Sequence, residues 1–192
     1  LGIDDSSAWA PAAERVGYPL MAKVAGGGGG RGLRVAAGPD ELDGAIRSAL
    51  REAGATGAGA RLYLERYLEG ARHVEVQVAG NGADAVALGD RDCSIQRRHQ
   101  RVIEEAPAPG LSEAQRSVLH THAVTLARAV SLRGVATVEF LLGQDGTLAF
   151  IEINPRLQVE HTVTEEVTGL DLVAVQLDLI GGGALPAVTP PS

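Results

Sequence analysis

The sequence has one cysteine in 192 residues and only 3% aromatic residues. A single cysteine excludes an internal disulfide framework and fits a reducing, cytoplasmic location. With so few rings, a core must be built from Val, Leu, Ile and Ala. No apolar run approaches the roughly 20 residues needed to cross a bilayer, so no membrane partner is expected. Excess basic charge is lacking as well. The net charge is −7, which argues against a nucleic-acid partner. The chain begins at Leu1 without a Met and ends in "TPPS", as expected of a piece of something longer. Its 45% apolar and 21% charged shares are those of a globular chain.

Glycine, by contrast, is abundant, and five fall together in "AGGGGGRG", residues 25–32. The run follows "PLMAKVA" and precedes "LRVAA", both of which read as strands. It does not open a helix, as a dinucleotide fingerprint would, and no G-K-[ST] follows it. Two readings stay open: a flexible connector, or a loop whose N–H groups form a concavity for phosphates. Linkers usually mix in serine, and Lys23 sits mid-strand just before the run, where an ammonium wants a target.

Elsewhere the pattern mixes helices and hairpins without an internal repeat. Helices are expected over "SSAWAPAAERV", "PDELDGAIRSALREAG", "EAQRSVLHTHAVTLARAV" capped by Ser112, "VTEEVTG" and "LDLVAVQLDLI". Strands are expected in "RLYLERYL" and in "RHVEVQVAG". In the latter, Val74, Val76 and Val78 alternate with His73, Glu75 and Gln77. "NG" at 81–82 signals a hairpin. "SIQRRHQRVIEEAPAPG" reads as polar and aperiodic. The fold class expected is α+β with antiparallel sheet.

The clearest chemistry lies in "VEFLLGQDGTLAFIEINPR". If Asp145-Gly146 form a two-residue turn, Glu139 faces Glu152 and Asn154 shares the face. A four-residue loop, 143–146, sets Glu139 against Phe150 instead. Two facing carboxylates repel. They are tolerable on a wet face with the repulsion screened, or at a hard divalent cation, which takes carboxylate and amide oxygens. A lysine, a glycine loop over phosphates and an acidic metal set are the parts of phosphoryl transfer from Mg-ATP.

The strings "KVAGGGGGRG", "LERYLEGARHVEVQV", "DRDCSIQRRHQRVIEEAPAPG" and "FIEINPRLQVEHTVTEEVTG" resemble the biotin carboxylase family of the ATP-grasp superfamily. The resemblance implies an ATP-grasp fold, with a small glycine-loop lid domain over 1–67 and an antiparallel-sheet core over 68–192. The core is incomplete at its C-terminus, and the family's N-terminal nucleotide-fold domain is absent. The implied activity makes carboxyphosphate from ATP and bicarbonate, then carboxylates biotin on a carrier domain. By the same resemblance, ATP is bound by Lys23, Gly29, Gly30, Glu65, Leu68, His73, Gln96, His99 and Leu141. The metal, Mg2+ or Mn2+, falls to Glu139, Glu152 and Asn154. Bicarbonate and biotin fall to Arg101, Arg156, Gln158, Val159 and Glu160, with Arg101, Arg156 and Glu160 catalytic. A guanidinium fork suits bicarbonate, and Glu160 suits a general base. The family usually has Lys where this chain has Arg101, a cation of different shape. Implied partners are the biotinyl carrier, a carboxyltransferase domain or subunit, and further copies in a homo-oligomer. The final acceptor stays open among acyl-CoA, pyruvate and urea.

Two other functions are kept: a carbamoyl-phosphate synthetase-like ligase, which fits "RRHQR" and "RLQVEH" less well, and a nucleotide-binding fragment without turnover. The remaining chemistry-bearing residues read as structural. Cys93 is a packed thiol, Trp9 is packing, and His120 and His122 are surface residues that share no helix face. His161 at most orients Glu160.

Overall fold

The computed structural model describes residues 6–25, 32–54, 61–97 and 100–187. The glycine run at 26–30, with Gly29 and Gly30, and His99 lie outside the described residues. The chain divides into two compact units. The first runs through Glu69 and also counts Gln100; the second begins at Gly70.

In the first unit a 3-10 turn, Ser6–Ala8, leads into α1, Trp9–Val16, followed by β1, Leu20–Val24, and β2, Leu33–Ala36. Helix α2, Pro39–Glu52, and β3, Leu62–Arg66, complete it. Pro39 stands in the first turn of α2, where a missing N–H costs nothing. Asp40 and Glu41 meet the positive end of the helix, and the Glu41 carboxylate accepts from the Ala37 N–H at 3.0 Å. The strand order is β2-β1-β3, with both pairs antiparallel. Alternate residues of β1, Leu20, Ala22 and Val24, pack against Trp9, Ala13, Leu42, Ile46 and Ala49. Each Val, Leu or Ile among them contributes about 1.5–3 kcal/mol on burial. Lys23 falls on the other face of this central strand, between Leu33 and Tyr63. It is not an edge-strand lysine.

The second unit is a five-stranded sheet with order β6-β5-β4-β7-β8. Its strands are β4, Arg72–Asn81; β5, Ala85–Arg97; β6, Gln100–Glu105; β7, Arg133–Leu142; and β8, Leu148–Asn154. Its helices are α3, Glu113–Ala129; α4, His161–Thr168; and α5, Leu172–Ile180. Ser112 and Gln115 close a reciprocal capping box on α3. That helix lays Leu119, Ala123 and Ala127 on one sheet face, over Val74, Val76, Val78, Ala136, Val138 and Phe140. On the opposite face Leu172 and Leu179 of α5 cover Ala79, Leu88 and Val135 at one end. The rest of that face carries the polar alternates of β4 and β7.

Three expectations are corrected. First, the segment read as aperiodic is strand: β5 continues through Arg97 and β6 joins it as the sheet edge. An edge strand carrying Arg101 and Glu104, with Val102 and Ile103 exposed, has no apolar alternation to betray it. Second, neither counted hairpin turn forms. Leu142 pairs with Leu148, and Gly143 N–H donates to the Thr147 carbonyl at 2.8 Å. Carried outward evenly, that register sets Glu139 against Ile151. A bulge intervenes between the Phe140–Phe150 and Glu139–Glu152 pairs, so the expected carboxylate pairing forms after all. Third, His120 is no plain surface residue, because its Nε2 lies 2.7 Å from the buried Asp90 carboxylate. His122 is exposed.

Candidate active site

A single row of side chains crosses four strands of the second unit. Arg91 on β5 faces Glu75 on β4, Glu75 faces Glu139 on β7, and Glu139 faces Glu152 on β8. Glu75 is fully buried and Glu139 is 5% exposed. Three carboxylates side by side repel unless cations intervene.

Two guanidiniums intervene. Arg91, fully buried, holds Glu75 Oε1 at 2.5 Å. Arg101, from β6, reaches Glu75 Oε2 at 2.9 Å and also pairs with Glu139 and Glu160. His73 Nε2 lies 2.8 Å from Glu139 Oε2, and its Nδ1 accepts from Gln96 at 2.9 Å, which aims the Nε2 proton at the carboxylate. The Asn154 amide donates to Glu139 at 2.9 Å and to Glu152 at 3.0 Å. Burial alone would raise the Glu139 pKa. The His73 hydrogen bond and the Arg101 charge outweigh it and hold the carboxyl down at about 2. Burial also works against the charge on Arg101, but Glu75 and Glu139 push its pKa higher still. Burial raises both Glu104 and the Cys93 thiol, so Cys93 is an inert packed thiol rather than a nucleophile.

These donors suit a hard divalent cation. Glu139 and Glu152 stand directly opposed, with the Asn154 amide between them. Glu75, Glu139, Glu152 and Glu160 together outnumber Arg91 and Arg101. Glu139, Glu152 and Asn154 would hold such an ion if the Asn154 side chain turned its carbonyl oxygen, rather than the NH2 group that now donates to both acids, toward it.

The other expected residues are placed as follows. In the first unit, Lys23 and Glu65 form an ion pair at 2.5 Å, and Leu68 is half-buried between β3 and β4. In the second, Leu141 faces His73 across β7 and β4, at the end of the sheet away from α5. Arg156 is exposed and reaches the Leu157 carbonyl at 3.5 Å, so it is not drawn into the Arg101 cluster. Val159 is 89% exposed. Gln158 Oε1 is buried and finds no hydrogen-bond donor among the described residues. His161 turns Nδ1 to the Gln158 carbonyl at 2.7 Å and Nε2 toward Glu165, not to the Glu160 carboxylate. The sequence reading missed Arg91, Glu104, Thr137 and Thr164, and gave Glu75 and Gln77 no role. One signal was available: an arginine inside an acidic strand, "GDRD", beside a strand with polar alternates.

Such sheets, with helices on both faces of the larger one and a cationic and acidic cluster, define the ATP-grasp class, and solved structures bear this out. A biotin carboxylase-beta-gamma-ATP complex from Campylobacter jejuni matches with a TM-score of 0.85 at 45% identity, covering 91% of this chain and 40% of that one. The biotin carboxylase domain of Hydrogenobacter thermophilus 2-oxoglutarate carboxylase, in complex with MgADP and bicarbonate, matches with a TM-score of 0.81 at 39% identity. That match covers 92% of this chain and 39% of that one. Among curated proteins, the biotin carboxylase of Pseudomonas aeruginosa is 49% identical over 183 residues, which is 95% of this chain and 40% of the relative. Residues 2–188 match the family model "Carbamoyl-phosphate synthase L chain, ATP binding domain", and the chain belongs to that family. It spans about two-fifths of the length of the Pseudomonas relative.

Proposed function

We propose that this chain is the ATP-binding part of a biotin carboxylase, an ATP-dependent ligase. It would use ATP and bicarbonate to carboxylate biotin on a carrier domain. The observation that carries the reading is Arg101, a guanidinium shared by the metal-suited acid Glu139 and the carboxylate of Glu160. An anion held at Arg101 meets a base at Glu160 and a divalent-ion site at Glu139 and Glu152. Bicarbonate activation by ATP needs these three functions in one place.

In this reading a bicarbonate oxygen attacks the γ-phosphorus, ADP leaves and carboxyphosphate forms. Arg101 and Arg156 hold the anion, Gln158 and Val159 line its side of the site, and Glu160 takes the bicarbonate proton. ATP binding is assigned to His73, Gln96 and Leu141 and, by the family resemblance, to Lys23, Gly29, Gly30, Glu65, Leu68 and His99. A bound divalent ion, Mg2+ or Mn2+, offsets phosphate charge. Residues 1–67 act as the lid and 68–192 as the core. The partners are the biotinyl carrier and a carboxyltransferase domain or subunit, in a homo-oligomer of the parent. Among the described residues no helix is long and apolar enough to cross a membrane, and a cytoplasmic location is part of the proposal. The family model takes its name from carbamoyl-phosphate synthase. The 49% identity to a biotin carboxylase favours the biotin reading over that one.

The test is bicarbonate-dependent ATP cleavage by the full-length parent, with and without free biotin. Stimulation by biotin is expected, with poor turnover by the 192 residues alone. ATP cleavage that ignores biotin overturns the proposal.

A further inference from the structure

Arg91 lies outside every role assigned above, yet like Glu75 it is a fully buried charge of the second unit. Among the described residues its polar partners are the side chains of Glu75, Gln77, Thr137 and Thr164. Nε donates to Glu75 Oε1 at 2.6 Å, and one terminal nitrogen donates to Gln77 Oε1 at 3.0 Å and to Thr164 Oγ1 at 2.5 Å. The other terminal nitrogen reaches Thr137 Oγ1 at 3.4 Å. One guanidinium thus joins β5, β4, β7 and α4.

These contacts close a ring. Glu75 gives Oε1 to Arg91, which leaves Oε2 for Arg101 at 2.9 Å. Arg101 pairs with Glu160, and Glu160 is the N-cap residue of α4. Its side chain makes no capping hydrogen bond, so the carboxylate is available to Arg101. Thr164 is one helical turn further on, on the same face of α4, and its hydroxyl returns to Arg91. A buried ion pair gives little net stability compared with apolar residues of the same volume. What this ring supplies is position.

We propose that Arg91 is a positioning residue that sets the distance between Arg101 and Glu160 at the anion end of the site. It does so by holding Glu75 from below and the first turn of α4 from the side. Without the Thr164 link, α4 is free to shift along the sheet and Glu160 with it. Without the fork at Glu75, that carboxylate turns both oxygens to Arg101 and draws it from Glu160. This inference rests on the biotin carboxylase reading for its kinetic consequences, but the ring itself does not depend on it.

The test uses the full-length parent. Thr164→Val removes the hydroxyl and keeps the shape; Thr164→Ser restores it; Arg91→Lys keeps the charge and removes the fork. Thr164→Val is expected to lower kcat/KM for bicarbonate about tenfold, the worth of one hydrogen bond to a charged group. KM for ATP should stay within about twofold, and Thr164→Ser should recover most of the loss. Arg91→Lys should show the same split and supplies it if the valine variant does not fold. Unchanged bicarbonate kinetics, or parallel losses for ATP and bicarbonate, overturn the proposal. Crystal structures of the variants separate this idea from the functional reading. Glu160 displaced from Arg101 supports positioning even where the wild-type parent shows no biotin-stimulated turnover. Glu160 still seated on Arg101 in both variants overturns it.

Discussion

Replacing Asp90 tests how the sheet and α3 are held together behind the site. Asp90 sits on β5 with its side chain buried on the α3 face. It accepts from the Ala108 N–H at 2.8 Å, lies 2.7 Å from His120 Nε2, and pairs with Arg116. In Asp90→Ala the buried Ala108 N–H loses its acceptor, at about 1–3 kcal/mol. Arg116 and His120 are about a quarter exposed, at 24% and 29%, so they recover water and add only about 1 kcal/mol. The expected loss is about 3 kcal/mol, which lowers the midpoint of thermal unfolding by about 6–12 °C. Asp90→Asn keeps the shape and an acceptor for Ala108 and should fall between. The pH dependence adds a sign. Burial works to raise the Asp90 pKa, but the bonds from His120, Arg116 and Ala108 outweigh it and hold it below 3.8. A carboxyl depressed on folding stabilises fully above its unfolded pKa and loses that contribution as pH falls through the folded value. The gap between wild type and Asp90→Asn in urea unfolding is therefore widest near neutrality and closes below 3.8. A gap that is constant with pH, or a loss under 1 kcal/mol for alanine, would refute the clamp.

Two further substitutions probe the sheet and the acid row. Gly80→Ala places a Cβ 2.4 Å from the Leu132 carbonyl oxygen, so backbone must shift, at about 1–3 kcal/mol. An unchanged urea midpoint would show that the segment before β7 gives way freely. Glu152→Gln in the full-length protein removes a charge that is exposed and accepts from the Asn154 amide at 3.0 Å. Stability should hold within about 0.5 kcal/mol, while the Mg2+ concentration for half-maximal turnover rises at least tenfold. Normal turnover at unchanged Mg2+ removes Glu152 from the metal site.

Much of the fold was legible because its elements announce themselves locally. Pro39, the acids after it and the Ser112–Gln115 box mark helix starts through backbone N–H groups that need partners. Val74, Val76 and Val78 mark a strand because α3 covers one face and not the other. The edge strand β6 was not legible, since an edge lying beside a charged cluster has nothing apolar to alternate. The β7–β8 hairpin gives a sharper lesson. The pairing of Glu139 with Glu152 was expected from a two-residue turn, yet it arises from a longer turn and a bulge that compensate. The correct pairing was reached through the wrong loop. A bulge is set by what the two faces must hold, and a count along one strand does not contain it.

The same limit explains which part of the site escaped the sequence. Glu139, Glu152 and Asn154 lie on one hairpin, so their proximity is a local count. The row from Arg91 to Glu152 crosses four strands and two irregularities, one at Gln77/Val78 and one at Glu139/Phe140. No spacing in the chain encodes it. Charge does. Two facing acids in apolar strands demand cations, and once Glu75 joins them on the same buried row, one divalent ion on the outer pair leaves the inner carboxylate unanswered. Among the described residues the cations that answer it come from the adjoining strands β5 and β6, as Arg91 and Arg101. A buried acid without a visible partner is therefore a search instruction: one counter-charge, Arg101, lies in the segment read as polar and aperiodic, and the other, Arg91, in the acidic stretch just before it.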